Sequence, residues 1–202
     1  KFPFVIDVFE GNDKTRHNVF VDGNDASFTF PYNRQPTLIQ VNADNVLVCT
    51  IYENKVLSDY IFQLKHADNY AHRREALLEV VKKQDDKDAF NAVVDALNDV
   101  SFKIRQVALQ QIDLINKFSK KDAIRKIMQM PNNDTKTIVQ AEALNTLGKL
   151  IDPELKPIFT NALESKSYSV LGKALVSLYY IDKPTAIKKS KELPDEVRKI
   201  LA

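Results

Sequence analysis

Glycine, histidine and cysteine are scarce in this sequence: four, three and one among 202 residues. So few glycines leave no room for a phosphate cradle, and neither a P-loop nor a Rossmann fingerprint occurs. The Gly-x-Ser-x-Gly elbow of a serine hydrolase is missing as well. A single cysteine, Cys49, excludes an internal disulfide. Its place in the apolar run Val46-Leu47-Val48-Cys49-Thr50-Ile51 predicts a small buried hydrophobe. As a nucleophile it would want a partner histidine, and none lies nearby in the sequence. No histidine is followed by glutamate: His17 precedes Asn18, His66 precedes Ala67 and His72 precedes Arg73. The His-Glu-x-x-His helix of zinc proteases is therefore absent. His66 and His72 straddle a break at Ala67-Asp68-Asn69-Tyr70, and they are expected as surface or helix-end side chains. No apolar run approaches the roughly 18 residues that span a bilayer.

Charge of either sign is also without strong excess. Residues 1–57 carry five basic and seven acidic groups, and the remainder 24 and 20. Neither part has the basic surplus of a nucleic-acid-binding surface. Nothing at the amino terminus resembles a signal peptide. The chain opens at Lys1, without Met, directly on Phe2-Pro3-Phe4-Val5-Ile6. That start reads as a fragment or a processed product, and it leaves the compartment open.

What the sequence does have is a repeat. Ala76-Leu77, Ala108-Leu109, Ala143-Leu144 and Ala174-Leu175 recur at spacings of 32, 35 and 31 residues. Each pair is followed by a further aliphatic: Val80, Ile112, Leu147 and Leu178. A period in the range of about 20–50 residues is the mark of a stacked array of supersecondary units. A small alanine at one place in every unit lets neighbouring helices approach closely, and the leucines fill the seam.

The chain changes character near residue 57. Before it, Phe4–Phe9, Arg16–Val21, Ala26–Phe30, Thr37–Val41 and Val46–Tyr52 read as short strands, separated by turn residues such as Gly11 and Gly23. Five strands at this spacing predict a small antiparallel sandwich over 1–56, with Phe28 and Phe30 on one face. After it, period 3.6 predicts helices at Lys55–His66, Ala71–Lys83, Asp86–Leu97, Phe102–Asn116, Lys120–Met130, Thr135–Leu150, Pro153–Glu164, Val170–Tyr180 and Pro184–Lys191. A short last helix is expected after Pro194, and Ser119–Asp122 resembles a capping box. The fold class is therefore α+β by segments: the sandwich, then an α-solenoid of about four HEAT-like helix pairs over 57–202.

Other features have mainly structural readings. The cluster Lys183, Lys188, Lys189 and Lys191, followed by Glu192, is expected as a solvated helix face, with an anionic partner as the alternative. Arg73, Arg74 and Arg105 shortly precede Ala-Leu pairs and are expected to bond along the stack. Of the neighbours Tyr179 and Tyr180, at least one should be core.

The order of parts carries a resemblance. A β unit is followed by Asp59-Tyr60-Ile61-Phe62-Gln63-Leu64-Lys65-His66-Ala67, then by Tyr70 and Arg73-Arg74-Glu75-Ala76-Leu77 opening a helical array. Within the β unit stand Leu38-Ile39-Gln40-Val41-Asn42-Ala43-Asp44 and Val46-Leu47-Val48-Cys49. Together these resemble the carboxy-terminal half of the aminopeptidase N family of zinc metallopeptidases. The resemblance implies a parent hydrolase that removes amino-terminal residues from peptides, with zinc held by domains upstream. It implies that the sandwich spaces the helical domain, which covers the active site. It carries over no catalytic, cofactor-binding or metal residue. The partners implied are the upstream catalytic domain of the same chain and the parent's peptide substrate, with neither nucleic acid nor a membrane span. The strand Phe4–Phe9 is expected to have lost a neighbour, which leaves an edge open to self-association. The competing reading is a free-standing helical-repeat scaffold that binds a protein along its concave face.

Overall fold

The structure, a computed structural model, describes residues 1–115, 118 and 120–193. It is a small antiparallel sheet followed by helices, a mixed α+β layout. Strand β1 (Phe2–Glu10) is central, flanked by β2 (Asp13–Val21) and β3 (Leu38–Val41). Ile6 lies opposite His17 on one side and Val41 on the other. The β1–β2 hairpin closes on Gly11-Asn12, and Gly11 takes φ 66°, where a side chain would be strained. Ile6, Asp7, Val8 and Phe9 are all buried. Since side chains alternate along a strand, both faces of β1 are covered.

Two of the five expected strands do not form. Residues 26–30 and 46–52 form no strand and take no part in the sheet. In the first, the aromatics make face contacts instead: Phe30 stacks on His17 at 3.9 Å and Phe28 lies parallel to Phe30 at 6.4 Å. In the second, the chain is turned aside by Asn42 and Asn45, both at positive φ. The Asn42 amide accepts from Leu47 N–H at 3.3 Å and donates to Leu47 C=O at 3.2 Å. It thereby takes up the two backbone groups that a strand beside β3 would use. Val48 and Tyr52 are left exposed, and so is Cys49, against the expectation of burial.

The helices are α1 (Leu57–His66), α2 (Tyr70–Val80), α3 (Lys87–Ala96), α4 (Phe102–Gln111), α5 (Lys120–Asn133), α6 (Thr137–Gly148), α7 (Lys156–Ala162), α8 (Tyr168–Ile181) and α9 (Lys183–Glu192). Side-chain caps set several starts. Asn69 accepts from Ala71 N–H at 2.7 Å, Asp86 from Asp88 and Ala89, and Asp182 from Thr185 at 3.1 Å. Pro184 sits in the first turn of α9, where its missing N–H costs no bond. Helix α4 stops at Gln111, short of the expected Asn116, because Ile112 turns extended and Asp113 accepts from Ile115 N–H at 2.9 Å. Asn116, the Ser119 end of the capping-box reading and the helix expected after Pro194 lie outside the described residues. Among the described residues, no helix is long and apolar enough to cross a membrane.

The change from strand to helix falls where the periodicity changes, but the compact units divide elsewhere. One is residues 1–92 and the other 93–202. In the first, Phe9 meets Phe62 of α1 edge to face at 5.5 Å, so the opening helices pack with the sheet.

Candidate functional site

The repeat is legible in what each copy touches. Ala76, Ala108, Ala143 and Ala174 are wholly buried, as are Leu77, Leu109 and Leu144, while Leu175 is half-buried. In the first three copies, three residues before the alanine, a long polar side chain binds carbonyls of the turn that precedes its helix, whereas the fourth has the buried Leu171 there. Arg73 Nη1 donates to Ala67 O at 3.0 Å and Asp68 O at 2.7 Å. Arg105 Nη1 donates to Asp99 O at 2.8 Å and Val100 O at 3.3 Å. Gln140 Nε2 donates to Asp134 O at 2.7 Å. Orphan carbonyls at a helix–helix turn thus gain donors from the next helix. Arg74, by contrast, is exposed.

Arg105 does more. Its guanidinium clasps the Asp134 carboxylate through two bonds of 2.7 and 2.8 Å, tying the start of α4 to the turn between α5 and α6. Three residues after the alanine, a hydroxyl bonds sideways. Thr146 Oγ1 donates to Leu109 O at 2.8 Å, and Ser177 Oγ donates to Leu144 O at 3.1 Å. Helix α6 accordingly packs against both α4 and α8.

The first unit holds a buried polar cluster. Gln40 and Asn42 come from β3 and the turn after it, Gln63 from α1, and His72 and Glu75 from α2. His72 is buried, not at the surface as its helix-end position suggests. Its Nε2 lies 3.0 Å from Asn42 O. A carbonyl only accepts, so Nε2 carries the proton, and Nδ1 receives the Gln40 amide at 3.1 Å. Gln63 Nε2 bonds His72 O and Glu75 Oε2, both at 2.9 Å. The cluster joins sheet to helices. Both ring nitrogens of His72 are occupied.

Glu75 is sensitive to this setting. The His72 ring, whose Nδ1 lies 3.7 Å from the carboxylate, holds its carboxyl below the usual 4.5 against the opposing effect of burial, and a hydrogen bond from Gln63 helps. A depressed folded pKa contributes stability that is complete above the unfolded value and vanishes as pH falls through the folded one. The melting-temperature gap between wild type and Glu75→Gln is therefore constant above about pH 4.5 and closes in more acidic buffer. A gap unchanged down to pH 3 or so would place the stabilising charge elsewhere.

The remaining sequence candidates are not gathered into one site. His66 stacks on Phe62 at 4.2 Å, apart from the His72 cluster, and burial followed by Lys65 lowers its pKa. Among the described residues, no group of three or more His, Cys, Asp or Glu could hold a metal ion. Lys189 pairs with Glu192 at 2.8 Å. Lys183 lies over the Tyr179 ring at 5.2 Å. Tyr179 and Tyr180 are both exposed, 43% and 64%, which corrects the expectation that one is core. What sequence reasoning missed is the His72 cluster and the Thr146 and Ser177 bonds. The available signal was a small hydroxyl three residues after Ala143 and Ala174.

No protein-family model matches the chain, and no curated protein matches it either.

Proposed function

We propose that this chain is the non-catalytic carboxy-terminal region of a zinc-dependent aminopeptidase. The observation that carries the reading is the order of parts. A small antiparallel sheet is locked to the opening helices by the His72 cluster, and helices with a recurring register follow. In this reading the sheet belongs to a β-sandwich whose other strands come from upstream, and the helices form a HEAT-like solenoid that covers the active site. The chain contributes no zinc ligand and no catalytic group. The parent cleaves amino-terminal residues from peptides.

Two measurements test it. The purified chain takes up no stoichiometric zinc and cleaves no aminoacyl reporter, whereas the protein extended upstream does both. About one tightly held zinc per short chain, or an inactive extended protein, sinks the reading. Phe4–Phe9 is not the open edge, since β1 is flanked by both β2 and β3; the outer strands β2 and β3 leave the edges through which the short chain would associate. Sedimentation then finds oligomers that an extension of the chain upstream abolishes. A clean monomer at high concentration, unchanged by the extension, favours the second reading, a free-standing scaffold for a protein partner. The exposed Tyr179 and Tyr180 support that alternative.

A further inference from the structure

Lys126, on α5, is a part-buried lysine whose one hydrogen bond among the described residues goes to backbone. Its Nζ donates to Val94 O at 2.9 Å, which ties α5 to the last turn of α3. A carbonyl accepts that bond from a charged or a neutral amine alike. The charged groups around it are engaged elsewhere. Asp122, one turn earlier on α5, pairs with Arg125 at 3.3 Å. Asp134 is clasped by Arg105 at 2.7 and 2.8 Å. Asp99 accepts from Ser101 N–H at 2.7 Å. Asp95, on α3, favours the charged amine, but it is exposed. Burial disfavours the ammonium form and outweighs Asp95, so the amine is held below the usual 10.5.

The amine also has room beside it. Lys126 lines a groove of about 440 Å³ within the second unit. Gln129, Met130 and Asn133 line it too, and they follow Lys126 at i+3, i+4 and i+7 on one face of α5. The groove reaches water, since Val100 in its lining is 89% exposed. A lysine kept from water and without a counter-charge is a nucleophile at lower pH than an exposed one. We propose that Lys126 is a site of covalent acylation, taking a short acyl chain from an activated donor, a thioester or an acyl phosphate. The lone pair of the neutral amine attacks the acyl carbonyl and an N–C bond forms. The carbon–sulfur or carbon–oxygen bond breaks, thiolate or phosphate leaves with the electron pair, and the nitrogen gives one proton to water. The product amide keeps an N–H for Val94 O, and its acyl chain lies in the groove. The inference rests on the second unit alone and goes beyond the aminopeptidase reading.

The test treats the whole chain briefly with acetyl coenzyme A and, in a second arm, with acetyl phosphate. Peptide mass spectrometry then measures the rate of acetylation at each lysine. Lys126 is expected to react at least about fivefold faster than the exposed Lys166 near pH 7.5 in at least one arm, and that arm identifies the kind of donor. The ratio falls toward one as pH is raised to about 10.5, where exposed amines also lose their protons. Gln129→Glu supplies the missing counter-charge at i+3 and returns Lys126 to the rate of Lys166. Gln129→Ala, at the same exposed position, keeps the preference. Equal or slower reaction of Lys126 in both arms overturns the proposal. So does a preference that does not change with pH, or one that survives Gln129→Glu, since either would place its cause outside the free amine.

Discussion

Replacing Arg105 by alanine lowers the stability of the helical unit by about 3–5 kcal/mol, the usual cost of stripping one partner from a buried ion pair. The side chain of Asp134 is only 5% exposed and that of Arg105 13%, so the pair is largely shielded from water. The same change deprives Asp99 O and Val100 O of their donor. Urea denaturation at neutral pH measures the effect. A loss under about 1 kcal/mol, as for an exposed pair, would mean that solvent reaches the carboxylate. The pH dependence has a definite sign. Burial pushes the Asp134 carboxyl up, but Arg105 and the Lys136 N–H outweigh it and hold it below 3.8. The stabilisation is complete above the unfolded pKa and disappears as pH falls through the folded one. The difference between wild type and Arg105→Ala therefore narrows in acid, below about pH 4.

Ala108→Phe and Ala143→Phe each destabilise the fold by about 1–3 kcal/mol or more, through overpacking at the seam. Both alanines are wholly enclosed, and the hydroxyl–carbonyl bonds from Thr146 and Ser177 pin the adjoining backbones at a fixed separation. Gly148→Ala acts by the same mechanism, since the new methyl meets Ser177 on α8. Lys103→Ala, on the exposed side of α4, changes stability by less than about 0.5 kcal/mol. Denaturant melts that give equal, negligible effects for all four changes would mean that the Ala-Leu register does not mark the helix seam.

Much of the helical half was legible because helix formation is local. The Ala-Leu pairs, the capping Asp182 and the proline after it act within a few residues of themselves, and their burial and bonding follow the pattern. The sheet was read less well. The runs 26–30 and 46–52 have strand composition, yet a strand exists only when another supplies its hydrogen bonds, and composition does not name that partner. Tyr179 and Tyr180 fell outside the pattern for a related reason: which side of α8 is covered depends on the elements around it. His72 read as a helix-end residue because Gln40 and Asn42, which enclose it, lie 32 and 30 residues away.

The sequence by itself determined the α+β order of the chain, the change to helix at residue 57, the recurring Ala-Leu spacing and the burial of its alanines. All of these rest on side-chain periodicity and on caps that bond to their own backbone. Only the tertiary structure decided the three-strand sheet, the division after Ala92, the Arg105–Asp134 clasp and the burial of His72. Each of those depends on polar groups distant in sequence meeting where water is excluded, and an unpaired group there is costly enough to dictate which elements join.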